Sequence, residues 1–140
     1  MAKVFLDTNV IVYANDARDA EKQTRAIDVV SSAIRDGSGV VSTQVLQEYA
    51  VVAATKLEQH PDAILGQLLQ IECMEVVVVT PALIRRSLEL QLLYHVGYWD
   101  ASILAAAEHA SCPVLFSEDL NAGQLYTTVR VENPFLSNDE

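Results

Sequence analysis

The first strand constrains the fold most. Val4-Phe5-Leu6 shows no polar alternation and runs straight into Asp7-Thr8-Asn9. A strand of that kind is buried on both faces, as in a parallel sheet covered by helices on each side. The β-branched run Glu75–Val79 has the same character and is read as a central strand. Pro113–Phe116 and the shorter Gly39–Ser42 and Val129–Val131 complete the predicted set. Helical stretches alternate with them. A short apolar helix spans 10–14, and a longer one 17–35, where Ala26, Val29, Val30, Ala33 and Ile34 recur at helical spacing. A third helix, capped by Ser42 or Thr43, reaches about Leu57. Further helices are expected over 63–71, over 81–93 with proline in the first turn, and over 99–110, while 120–126 reads as irregular or briefly helical. This alternation predicts an α/β fold: a three-layer α/β/α sandwich with a mostly parallel central sheet.

At 140 residues the chain is one domain, expected to span 1–136 with a frayed tail at 137–140. Hydrophobic residues make up 51% of it, enough for a sizeable core. The net charge of −10 has the wrong sign for holding nucleic acid by bulk attraction, so a phosphate-rich partner needs metal ions or a local basic patch. Cys73 and Cys112 form no metal-ligand pair and are read as two buried free thiols. No leader-like N-terminus and no apolar run of about 20 residues is present, which points to a cytoplasmic protein without a membrane association.

Four carboxylates stand out. Asp7 and Asp119 each leave the end of a strand, where open α/β sheets place their ligands. Glu48 lies three after Val45 and four before Val52, on the apolar face of its helix. Asp100 precedes Ile103, Leu104 and Ala107 at helical spacing and occupies a first helical turn, where the dipole favours an anion. Each has an ordinary explanation when taken alone, as a cap, a turn residue or the rim of a helix face. Together they imply a shared pocket. Carboxylates about 5 Å apart repel by about 3 kcal/mol per pair at an effective dielectric near 20. They then take up protons unless cations lie between them. An all-oxygen donor set suits Mg2+, or Mn2+, rather than zinc. Metal held by acidic groups is common equipment for cutting phosphodiesters.

The series Asp7-Thr8-Asn9, Glu48, Tyr98-Trp99-Asp100-Ala101 and Ser117-Glu118-Asp119-Leu120, with the ending Val131-Glu132-Asn133-Pro134-Phe135, resembles the motifs of PIN-domain ribonucleases, in particular VapC-type toxins of prokaryotic toxin–antitoxin modules. The resemblance covers nearly the whole chain. It implies a metal-dependent endoribonuclease that hydrolyses RNA with metal-activated water. Asp7, Glu48, Asp100 and Asp119 would form the acidic quartet. Asp7, Asp100 and Asp119 would hold the metal, the first two most directly. Thr8 and Asn9 would steady Asp7 and nearby water. Glu118 departs from the usual small or neutral residue before the fourth acid, so Glu118 or Asn121 would be able to share the role of Asp119. The same likeness implies a homodimer silenced by a small antitoxin.

Other features carry less weight for function. Arg18, Lys22 and Arg25 recur at i, i+4 and i+7, a stripe suited to tracking phosphates but more simply a solvated face, with Glu21 paired to Arg25. Arg85 and Arg86 read as surface charge. Tyr98 and Trp99 have the chemistry to stack on bases, although core packing is the ordinary use of such a Trp. A phosphoryl-accepting, receiver-like signalling domain is a rival α/β reading, but it wants paired acids after the first strand and a late lysine. Asp7 stands alone, and no lysine follows Lys56. An inactive PIN-fold interaction module would have no need of all four acids.

Overall fold

The computed structural model describes residues 2–136, so the tail expected at 137–140 lies outside the described residues. Six strands form one sheet: β1 (Val4–Leu6), β2 (Gly39–Ser42), β3 (Glu75–Val77), β4 (Val114–Phe116), β5 (Leu125–Tyr126) and β6 (Val129–Glu132). Their order is β3-β2-β1-β4-β6-β5, parallel throughout except for the β5–β6 pair. The helices are α1 (Thr8–Ala14), α2 (Ala20–Arg35), α3 (Thr43–Thr55), α4 (Pro61–Ile71), α5 (Pro81–Tyr94) and α6 (Tyr98–His109). From β1 to β2 to β3 the chain steps one way along the sheet, and from β3 to β4 it steps back across. Right-handed crossovers therefore put α1–α4 on one face and α5–α6 on the other. The helix contacts agree: α1 packs on α2 and α3, α3 on α4, and α5 on α6. This is the predicted three-layer sandwich.

The core follows from the strands. Phe5, Leu6, Val40, Val41, Leu115, Val129 and Val131 are buried, with Tyr49, Ile103 and Leu104 packed on them from α3 and α6. Close approach at the start of β2 requires Gly39, where a Cβ would run into Met74 Sδ and Ala33 Cβ. The α6 sequence is almost entirely buried from Ala101 to Ala107, so small alanines let it lie tight against β2, β4 and β6.

Several expectations need correction. The β-branched run is an edge strand, not a central one, and it stops at Val77; Val78 is 61% exposed. Helix α2 starts at Ala20, because Asp19 accepts from the Lys22 amide and caps it there. Arg18 therefore sits in the preceding turn, and the basic stripe does not form on a helix. Residues 120–124 are irregular, as one of the two readings expected, but 125–126 form β5, which pairs antiparallel with β6 in a hairpin. Cys112 is buried but Cys73 is exposed, and both are free. Among the described residues, no helix is long and apolar enough to cross a membrane.

Candidate active site

Parallel pairing of β1 and β4 builds the centre of the site. Their register matches Leu6 with Phe116, and the Asp7 amide donates to the Phe116 carbonyl at 3.0 Å. The next residues, Asp7 and Ser117, therefore leave the sheet side by side. The chain runs from β1 to β2 in one direction, while β4 lies on the other side of β1. The gap between β1 and β4 is thus the topological switch point, where such sheets hold ligands.

Asp7 is only 4% exposed. Ser117 Oγ donates to its Oδ2 at 2.8 Å, and the Thr8 amide donates to its Oδ1 at 2.7 Å. Ser117 Oγ in turn accepts from the Asp119 amide at 3.1 Å. Asn9 does not turn to Asp7; its Nδ2 donates to Asp119 Oδ2 at 3.0 Å. Residues that follow β1 and β4 thus lock two carboxylates into one network.

Helices α3 and α6 bring the other two. Glu48 is half-buried beside the buried Val45 and Tyr49. Gln44 Nε2 donates to Glu48 Oε1 at 2.6 Å and to the Trp99 carbonyl at 3.1 Å, tying the start of α3 to the start of α6. Asp100, in that first turn of α6, is also half-buried. Asp7 and Asp100 each feel the charges of Glu48 and Asp119. Burial pushes the Asp7 carboxyl up to about 7, against the Ser117 and Thr8 hydrogen bonds and helped by the Asp119 and Glu48 charges. Burial also raises Asp100, and the Asp119 and Glu48 charges push the same way. Glu48 and Asp119 thus lie near enough for their charges to act on both Asp7 and Asp100.

Glu118 and Asn121 go elsewhere. Glu118 accepts from Lys22 Nζ at 2.6 Å and from the Tyr13 hydroxyl at 2.9 Å. The ammonium also lies 4.6 Å from the Tyr13 ring centroid and 5.6 Å from that of Phe135. Asn121 donates to Gln124. Three other cations expected at the surface are likewise committed. Arg18 chelates Asp16, Arg25 reaches the carbonyls of Pro134 and Leu136 rather than Glu21, and Arg86 binds Glu108 and Glu89. Trp99 is not a core residue: it is 68% exposed, edge-on to Tyr98 with ring centroids 5.0 Å apart.

The donor set fits a hard divalent cation. It consists of carboxylates and neutral oxygens, with no Cys or His. Thr8 Oγ1 and Asn9 Oδ1, in the two residues after Asp7, are buried oxygens without a hydrogen-bond partner. Buried acceptors of that kind carry a cost that a ligand relieves. Among the described residues, no three Asp, Glu, His or Cys side chains are grouped so as to hold a metal ion as they stand.

Ser117 and Gln44 are not singled out by the sequence. Ser117 was readable in principle, since any residue following a strand adjacent to β1 emerges beside Asp7. Gln44 carried a weaker signal, four before Glu48 on one helix face.

The PIN domain model matches residues 4–126. No curated protein matches in sequence. Several solved structures share the fold, among them the following three. The Mycobacterium tuberculosis toxin VapC20, described as cleaving the sarcin-ricin loop, is 20% identical, with a TM-score of 0.67 over 84% of this chain and 92% of its own. A DNA-bound VapBC from Salmonella typhimurium is 19% identical, with a TM-score of 0.67 over 96% and 99%. A toxin–antitoxin complex from Klebsiella pneumoniae is 18% identical, with a TM-score of 0.64 over 91% and 95%. With the family model spanning most of the chain and the acids gathered at the switch point of the same fold, this protein belongs to the PIN domain family.

Proposed function

We propose that the chain is a magnesium-dependent endoribonuclease, the toxin of a type II toxin–antitoxin module, acting in the cytoplasm as one nuclease domain over residues 1–136. The observation that carries this reading is Asp7: a nearly sealed carboxylate, raised to about 7, faced by the charges of Glu48 and Asp119. Holding an acid that way without a counterion costs stability, so the arrangement makes sense as a cation site. The names of structures with the same fold, a toxin that cleaves the sarcin-ricin loop and a toxin–antitoxin complex, support the biological setting.

In this reading Asp7, Asp100 and Asp119 hold Mg2+ or Mn2+. The bound ion supplies Lewis acidity, easing ionisation of water and shielding the phosphate. Ser117 and the Thr8 amide fix both oxygens of Asp7, and Asn9 fixes Asp119. Glu48, oriented by Gln44, is the carboxylate free to take a proton from the attacking water. Glu118 stays out of the chemistry because Lys22 and Tyr13 satisfy its two oxygens. The partners proposed are an RNA substrate, a second copy of the chain and a small antitoxin, whose basic groups would complement an acidic pocket.

The test is cleavage of single-stranded RNA by purified protein with magnesium, with EDTA, and by Asp7→Asn. Magnesium-dependent cleavage lost in Asp7→Asn, with the far-ultraviolet dichroism unchanged, is the expected result. Cleavage that survives both EDTA and Asp7→Asn refutes the proposal.

A further inference from the structure

Of the four acids, Asp119 is the one that regular structure does least to hold. It is exposed and lies in an irregular bend after β4, whereas Asp7 ends a buried strand and Glu48 and Asp100 ride on helices. Segments with few backbone hydrogen bonds open easily, so a carboxylate in such a bend needs tethers to stay in place.

Its neighbours supply them. Leu120, on one side, is buried. Glu118, on the other, is bound by two helices. Asn9 and Tyr13 lie one turn apart on α1, and they take the two adjacent acids: Asn9 donates to Asp119 at 3.0 Å and the Tyr13 hydroxyl to Glu118 at 2.9 Å. From α2, Lys22 Nζ donates to the second Glu118 oxygen at 2.6 Å and to the Tyr13 hydroxyl at 3.3 Å.

Lys22 is itself held by the end of the chain. The register of β4 and β6 pairs Phe116 with Glu132, and the Ser117 amide donates to the Glu132 carbonyl at 3.1 Å, so both strands leave the sheet together. After β6 the Phe135 amide donates to Asn133 Oδ1 at 2.9 Å, and Arg25, one turn beyond Lys22 on α2, donates to the carbonyls of Pro134 and Leu136. The Phe135 ring is thereby seated edge-on to Tyr13, with centroids 4.9 Å apart, and the Lys22 ammonium lies over both rings. An ammonium placed over two rings and against a carboxylate is well localised.

Resting on the nuclease reading, we propose that Lys22 is a positioning residue for the metal-binding acid Asp119: it fixes Glu118, and residues 133–136 fix Lys22, so that the end of the chain helps to set the geometry of the cation site. The tether needs only an acceptor at position 118. An amide oxygen in Glu118→Gln keeps it, while loss of the ammonium breaks it. The sign of the effect separates this role from a charge effect. A cation beside an acidic site opposes metal binding by charge alone, so its removal would tighten the ion. Removal of a tether loosens it.

The experiment is a manganese titration followed by electron paramagnetic resonance, on wild type, Lys22→Met, Lys22→Arg and Phe135→Ala, and on Lys22→Met placed in the Asp119→Asn protein. Expected is a dissociation constant raised about threefold or more in Lys22→Met, raised less in Phe135→Ala, which leaves every charge in place, and mostly restored in Lys22→Arg. In the Asp119→Asn protein, Lys22→Met should change binding by less than about twofold, because the acid it acts through is already gone. With RNA, the magnesium needed for half-maximal cleavage should rise in Lys22→Met while KM for RNA at saturating magnesium stays near wild type. Manganese bound equally or more tightly by Lys22→Met, or weakened by the same factor in the Asp119→Asn protein, overturns the proposal. A raised KM for RNA with metal binding intact assigns Lys22 to the substrate and overturns it too. These results leave the nuclease reading standing where wild type binds manganese and cleaves RNA. Failure of wild type on both counts overturns that reading and this one together.

Discussion

Replacing Asp7 with asparagine should stabilise the metal-free protein at neutral and alkaline pH while abolishing its activity. The carboxyl is raised from 3.8 to about 7 in the folded state, chiefly by burial. Because the folded pKa lies above the unfolded one, Asp7 favours folding fully below about pH 4, and that contribution is lost as pH rises through 7. Each tenfold change in proton affinity between the two states is worth about 1.4 kcal/mol, so ionised Asp7 costs roughly 4 kcal/mol at about pH 8. Asparagine never ionises, but it has a single acceptor oxygen for the two donors that Asp7 satisfies, which takes back about 1 kcal/mol. The net gain expected for Asp7→Asn is about 3 kcal/mol at about pH 8 in EDTA, shrinking toward zero or below near pH 4. Urea unfolding at both pH values measures it. Magnesium should close the gap at high pH by binding the wild-type fold preferentially. An Asp7→Asn protein no more stable than wild type at about pH 8, or a gap that does not depend on pH, would show that Asp7 is not a desolvated acid facing like charges.

Three further outcomes follow from the same geometry. Glu118→Gln should keep nuclease activity within about threefold while Asp119→Asn lowers kcat by about a hundredfold or more, as RNA-cleavage kinetics will show, because Lys22 and Tyr13 already hold Glu118. Ser117→Ala removes the side-chain donor that holds the Asp7 pKa down, so that pKa rises further and the acid limb of the pH–rate profile moves upward; a profile identical to wild type would contradict this. Arg86→Ala frees Glu108, which also accepts from Thr127 at the β5–β6 turn, and should cost about 1 kcal/mol of stability in urea without touching activity.

The layered α/β fold was legible because it rests on local signals. Unalternating runs mark buried strands, and caps such as Ser42 and Thr80 mark where helices begin. Strand order is not local. Val76 and its neighbours are as β-branched as any central strand, yet the chain reaches β3 last on its side of the sheet and leaves it at the edge. The β5–β6 hairpin was hidden for a related reason. Leu125–Tyr126 is two residues long, too short for a pattern, and is held by its pairing, with Tyr126 packed edge-on against Tyr94. Trp99 misled in the opposite direction. Aromatics are usually buried, but α6 gives its buried face to alanines and turns the indole outward. At the candidate site, residue type and position on an element were enough to single out four acids, and the structure puts Asp7 and Asp119 in one hydrogen-bonded network. The partners that orient them, Ser117 and Gln44, depend on which strand lies beside which and on contacts between helices from opposite faces.

Acids distant in sequence sharing one divalent cation is the central claim. Manganese titration followed by electron paramagnetic resonance tests it most directly, on wild type, Asp7→Asn, Asp100→Asn and Asp119→Asn. Saturable binding by wild type, weakened about tenfold or more by each substitution, is the predicted result. Wild-type binding left intact in Asp7→Asn, or no saturable binding at all, would contradict it.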